Sequence, residues 1–154
     1  MDARARNSAV ERELNIRRIF NAPRELVFRA WTEPQLLAQW SCPRGYTFSE
    51  TRGELRVGGT FSAHMRSPEG TEHRLRGVYR EIVPPERSVH VESFDDYPGE
   101  SLVTAVFTEQ GGQTTLTAAV LYASQEVRDA VIKSGMEHGA AESYDRLAEI
   151  LAGT

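Results

Sequence analysis

One cysteine, Cys42, and one lysine, Lys133, are all that the 154 residues contain of either type. A lone thiol closes no internal disulfide, so nothing in the chain calls for an oxidising compartment. A single lysine leaves a Schiff-base mechanism one candidate. No apolar run approaches the ~20 residues of a membrane span, and the polar N-terminus "MDARARNSAVERE" has no apolar stretch to act as a signal peptide. The expectation is a cytoplasmic protein with no membrane partner. Eighteen basic residues stand against 22 acidic ones, a net charge of −4. That balance argues against the clustered basic face of a nucleic-acid-binding protein, and no nucleic-acid partner is expected. Missing too are a glycine-rich phosphate loop, a serine-nucleophile elbow and a zinc signature; Gly58-Gly59 alone is a turn. No metal and no cofactor are expected.

What is present reads as one domain, which at this length buries roughly 68–70% of the surface of its unfolded chain. Residues 1–13 read as a flexible arm and 14–152 as the folded unit. "LNIRRIF" from Leu14 is a strand. In "NAPRELVFRAW", Asn21 is a candidate cap, Pro23 suits a first helical turn, and Val27 and Trp31 lie one turn apart. "TEPQLLAQW" is a second short helix ending near Trp40. From Tyr46 to Tyr122 turn residues punctuate strands expected at 46–54, 60–66, 72–83, 87–94, 101–110 and 113–122. After Ser124 the spacing of Val127, Val131, Ala141, Tyr144, Leu147, Ala148 and Leu151 is helical. Gly135 and Gly139 each cost about 1 kcal/mol in a helix interior, which predicts a close packing partner on their face.

Register tests the hairpins. A two-residue Gly111-Gly112 loop pairs Phe107 with Leu116, Ala105 with Ala118 and Val103 with Val120. All six are apolar and share one face, with Thr104, Thr115 and Thr117 on the other. Phe61, Ala63 and Met65 face inward, as do Leu75 and Tyr79 between Arg74, Arg76 and Arg80. A sheet with one dry face must cover it, and the C-terminal helix is the element large enough. The outer face reads as a solvated surface of threonine and arginine.

This order of one strand, two short helices, six strands and a long helix resembles the helix-grip layout of the START-like (SRPBCC) superfamily. The blocks "FNAPRELVFRAWTEPQLLAQW", "LRVGGTF", "GVYREIVPPERSV" and "GMEHGAAESYDRLAEIL" resemble its activator of heat-shock protein 90 ATPase-like branch. The resemblance runs from about Leu14 to Leu151. It implies an α+β fold in which a curved antiparallel sheet wraps a long C-terminal helix. It implies a cavity between the two that takes a hydrophobic or aromatic small molecule, and leaves room for a homodimer or a chaperone partner. The superfamily also includes polyketide cyclases, so cyclase- or hydrolase-type chemistry is the alternative. Two departures stand out. Ser41 and Cys42 replace a second tryptophan and a glycine, and Ala140 replaces a large aromatic. Both changes enlarge the expected cavity, which Tyr144, one turn on, is placed to refill.

Cys42 comes after a helix C-terminus, where the dipole disfavours a thiolate, and no histidine lies within twenty residues. It reads as pocket wall and not as nucleophile. The parity of the 60–66 and 72–83 strands turns His64 outward and His73 inward, so they form no metal pair. His138 and Glu142 read as a surface pair one helical turn apart. "SVHVESF" leaves two registers open. With Val89 and Val91 inward, His90 and Glu92 are solvated. In the opposite register they enter the cavity as an acid–base pair, which Arg18 is placed to join. The expected cavity residues are Trp31, Trp40, Cys42, Tyr46, Phe61, Met65, Tyr79, Phe107, Met136, Ala140 and Tyr144. His90 and Glu92 are the candidates for chemistry.

Overall fold

The computed structural model describes residues 12–40, 45–95, 99–134 and 136–152. Strand β1 (Glu13–Phe20) is followed by helices α1 (Arg24–Thr32) and α2 (Pro34–Trp40). Then come β2 (Thr47–Gly53), β3 (Thr60–Arg66), β4 (Glu72–Val83), β5 (Arg87–Phe94), β6 (Ser101–Gln110) and β7 (Gln113–Leu121). Helices α3 (Gln125–Lys133) and α4 (Met136–Ala152) end the fold. The seven strands form one antiparallel sheet in the order β1-β7-β6-β5-β4-β3-β2. Its inner face packs Phe20, Ala105, Phe107 and Leu116 against Val27 and Phe28 of α1 and Tyr144, Leu147 and Leu151 of α4. This is the α+β helix-grip arrangement that the element order implies.

The β6–β7 hairpin turns on Gly111 and Gly112, with φ of 60° and 78°. Two left-handed residues give the turn whose twist matches that of the strands, and only glycine adopts them without strain. The register that results is the expected one: Phe107 opposite Leu116, Ala105 opposite Ala118, Val103 opposite Val120. This hairpin also starts α1. Glu109 Oε1 accepts from the Arg24 amide at 2.8 Å, supplying a negative charge where the helix exposes its N–H groups. Asn21 is not the cap, because the cap position falls on Pro23. Asn21 instead accepts from Gln113 Nε2 at 3.0 Å.

Three further expectations are corrected. Residues 1–11 lie outside the described residues, but Arg12 and Glu13 are not part of an arm. Glu13 pairs with Leu121, and the Tyr122 amide donates to the Arg12 carbonyl at 2.9 Å. The helical stretch after Ser124 is two helices. Ser124 caps α3 by accepting from the Val127 amide at 3.2 Å. At the other end, Ser134 Oγ donates to the Val131 carbonyl at 2.6 Å and its amide to the Ala130 carbonyl at 3.0 Å. A serine bonding back onto the preceding turn, followed by a residue of the lowest helix propensity short of proline, ends the helix there. The close packing expected at Gly135 and Gly139 lies outside the described residues. The outer sheet face is also less polar than threonine and arginine suggest. Val78, Val91, Leu102 and Leu121 are direct cross-strand neighbours on it, a row hidden until the β5 register is known.

That register turns on a β-bulge. From the 83–87 turn, β4 and β5 pair Ile82 with Ser88 and Glu81 with Val89, after which the register shifts and Tyr79 pairs with His90. Arg80 is the extra residue. One inserted residue exchanges the two faces of everything beyond it. Without it, an inward Tyr79 would force Val91 inward. With it, Ser88, His90, Glu92 and Phe94 share the inner face with Ile82, Tyr79 and Leu75, and Val103 of β6 confirms the parity by pairing with His90.

Candidate functional site

The helices build one wall of the interior. Trp40 is buried, and its Nε1 donates to the Ala30 carbonyl at 2.8 Å, which ties the end of α2 to α1. Trp31 and Trp40 stack at 5.6 Å between centroids. Tyr144 of α4 lies 6.1 Å from Trp31 and 5.8 Å from Trp40, with interplanar angles of 8° and 28°. Three elements thus contribute one ring each to a nearly parallel aromatic group, a geometry in which each pair adds about 0.5–1.5 kcal/mol beyond its buried area.

The sheet builds the facing wall. Phe61 meets Tyr79 at 5.1 Å and stands edge-on to His90 at 5.2 Å and 88°. The Tyr79 hydroxyl donates to the Thr32 carbonyl at 3.4 Å, joining sheet to helices. Between the walls lies a cavity of about 240 Å³, lined by Trp31, Trp40, Phe48, Phe61, Ala63, Met65, Leu75, Tyr79, Phe94, Ala140 and Tyr144 among others. Its polar lining includes Ser88, His90 and Glu92 of β5 together with Ser143 and Arg52.

His90 Nε2 and Glu92 Oε1 are 3.3 Å apart, with side chains 15% and 17% exposed. An ionised carboxylate at Nε2 fixes the proton of a neutral imidazole on that nitrogen, leaving Nδ1 as the acceptor. Burial pushes the Tyr144 hydroxyl far above its ordinary 10.0; the Glu92 carboxylate adds to this and Arg18 partly offsets it. Burial likewise raises Tyr79. Arg18 does not join the β5 pair. It faces α4, where it bonds Asp145 and reaches the Ala141 carbonyl at 3.4 Å. Among the described residues no three His, Cys, Asp or Glu side chains are arranged to hold a metal ion.

Of the residues expected at the cavity, Trp31, Trp40, Phe61, Met65, Tyr79, Ala140 and Tyr144 stand in its lining. Phe107 does not. It is fully buried behind the lining, edge-on to Phe28 at 5.2 Å and to Trp31 at 6.3 Å, and is core. Tyr46 is also outside the lining, at the β2 end, where its ring lies 6.1 Å from His73. Cys42 and the Met136 side chain lie outside the described residues. Phe48 was missed, and Leu75, read as inward, was not counted among the cavity residues, although register places both: Phe48 pairs with Met65 and Leu75 with Ala63. Ser88 was missed because only the bulge turns it inward.

A larger depression of about 590 Å³ lies around Gly77, Val78 and Val91, with Arg52, Arg76, Glu54 and Glu100 on its sides. Charges of both signs there offset one another, so it offers a ligand neither a dry wall nor a field of one sign. The interior cavity is the better candidate.

No described helix is long and apolar enough to cross a membrane. The family model described as Activator of Hsp90 ATPase homolog 1-like protein matches residues 21–152. A Rhodobacter sphaeroides crystal structure superposes with a TM-score of 0.86 at 37% identity, over 93% of this chain and 94% of that one. A Nitrosomonas europaea protein gives 0.82 at 26% identity, over 94% and 96%. An AHSA1 protein from Silicibacter pomeroyi gives 0.74 at 23% identity, over 91% and 97%. No curated protein matches the chain.

Proposed function

The chain belongs to the Activator of Hsp90 ATPase homolog 1-like family, and from that premise we propose that it binds a hydrophobic or aromatic small molecule between the sheet and α4. The observation that carries this reading is the cavity of about 240 Å³ with aromatic rings on both walls. Ligand sites are concave and mostly apolar with a few placed polar groups. This volume lies below the usual range of about 300–1,000 Å³, which favours a compact ring system over a lipid. Trp31, Trp40, Phe61, Met65, Tyr79, Ala140 and Tyr144 are the proposed contacts. Because the chain's two tryptophans both stand in the wall, their emission reports binding directly. Titration with indole-free ring compounds such as naphthalene should give a saturable change. Unchanged emission, together with no small molecule carried in native mass spectra of protein purified from its own host, would refute the proposal.

A second reading is favoured by one observation, the His90–Glu92 pair inside the cavity. A neutral imidazole oriented by a carboxylate is a general base, so cyclase- or hydrolase-type chemistry on a bound ring is the enzymatic alternative. It requires a rate whose pH profile follows the pair and that falls at least about 100-fold in His90→Gln. A substrate turned over equally well by that variant removes the reading.

The family name also suggests a chaperone partner. The charged outer residues Arg74, Arg76 and Arg80 give weak grounds for it, since Arg76 already faces Asp95 at 3.8 Å. No stimulation of the host's heat-shock protein 90 ATPase is expected. Stimulation that is lost when the three arginines become alanine would reverse this ranking.

A further inference from the structure

The cavity has two unlike walls, and on the sheet side one of its fully buried hydroxyls has no partner among the described residues. Helices α1, α2 and α4 present Trp31, Trp40, Ala140 and Tyr144, while the inward residues Ser88, His90 and Glu92 all come from β5. His90 and Glu92 satisfy each other at 3.3 Å. Ser88 is different. It is 1% exposed, and its Oγ has no hydrogen-bond partner among the described residues. Its cross-strand neighbours on the inner face are Ile82 and Ala105, neither of which has a polar side chain to offer.

Buried hydroxyls are nearly always hydrogen-bonded, and one left unpaired is a standing penalty that alanine at the same position would remove. With apolar neighbours on both flanks, the cavity is the side from which a partner can come. We propose that Ser88 is the recognition point for a polar substituent, so that the cavity selects a compact aromatic ring bearing a hydroxyl or carbonyl over a hydrocarbon ring or acyl chain of the same size. The inference rests on the small-molecule reading above and specifies its ligand class. A ligand's hydroxyl supplies the partner that Ser88 lacks in the free protein and adds the stacking of the ring on the tryptophans.

The test is calorimetric titration of the native protein and Ser88→Ala with naphthalene and with 2-naphthol, which differ by one hydroxyl. The native protein should bind 2-naphthol about ten-fold more tightly, and Ser88→Ala should bring the two within about two-fold. The free Ser88→Ala protein should unfold at the same temperature as native or higher, because it has lost an unpaired group. Should that variant fail to fold, Ser88→Cys keeps the volume with a weak donor and should show the same narrowing. Naphthalene bound as tightly as 2-naphthol by the native protein overturns this inference and leaves the small-molecule reading intact. A preference that survives in Ser88→Ala overturns it in favour of His90 and Glu92. Binding of neither compound overturns this inference, and native mass spectra free of any carried small molecule would then refute the small-molecule reading as well.

Discussion

The Phe61 ring occupies the space that a side chain at Gly77 would need. A β carbon built on Gly77 collides with that ring and with the main-chain oxygen of Val91. Because the two residues pair directly across β3 and β4, the absent side chain is what lets Phe61 lean over the sheet and meet His90. Gly77→Ala should therefore destabilise the fold by about 1–3 kcal/mol, the range for overpacking a filled site. The Val91 oxygen is backbone and cannot rotate away. Urea denaturation measures this, and a variant as stable as native would mean the ring has another place to go.

Ala140 stands in the cavity lining one turn before Tyr144. Ala140→Trp should fill the space between the walls and weaken naphthalene binding at least about ten-fold, with the far-ultraviolet spectrum unchanged. Unaltered affinity in the folded variant would remove Ala140 from the site.

The raised Tyr144 hydroxyl fixes the sign of an alkaline effect. Its ordinary value is 10.0, and burial, reinforced by Glu92, holds the folded value higher. Above pH 10 the unfolded chain loses this proton while the folded one keeps it. Stability is therefore fully present below pH 10 and declines as the pH rises from there toward the folded value. Denaturation midpoints between pH 9 and 12 should fall less steeply in Tyr144→Phe than in the native protein. Equal slopes would mean the hydroxyl is solvated.

Glu109 joins the hairpin to the first turn of α1 through the Arg24 amide. Glu109→Ala removes both the acceptor and the charge, and should cost about 0.5–1 kcal/mol for an exposed helix-terminal group. Half of that loss should vanish in high salt, where the charge contribution is screened. A loss that salt leaves unchanged would assign the whole effect to the hydrogen bond.

How legible was this in the sequence? The β6–β7 pairing followed from two glycines and six apolar residues, because a two-residue turn leaves no freedom of register. His64 and His73 fell on opposite faces for the same reason of parity: His64 pairs with Arg74 and His73 with Met65. Parity failed where an extra residue entered. Nothing in "GVYREIV" marks Arg80 as a bulge, and both registers of "SVHVESF" bury two side chains of acceptable size. The polar wall of the cavity was accordingly the part the sequence left open. Phe107 shows the other limit. Periodicity says which face a ring takes, but whether it forms wall or filling depends on depth, and here Phe28 and Trp31 cover it.

That three of the cavity's polar residues, Ser88, His90 and Glu92, come from β5 has a consequence for how such a protein changes. That strand is fourth of seven, held by neighbours on both edges, so its backbone is among the hardest in the molecule to displace. Positions 88, 90 and 92 can be rewritten one at a time without disturbing the tryptophan wall, which hangs from separate helices. The groups that would read a guest's chemistry on β5 and the tryptophans that shape its slot thus stand on separate elements, with Ser143 of α4 the polar exception on the ring side.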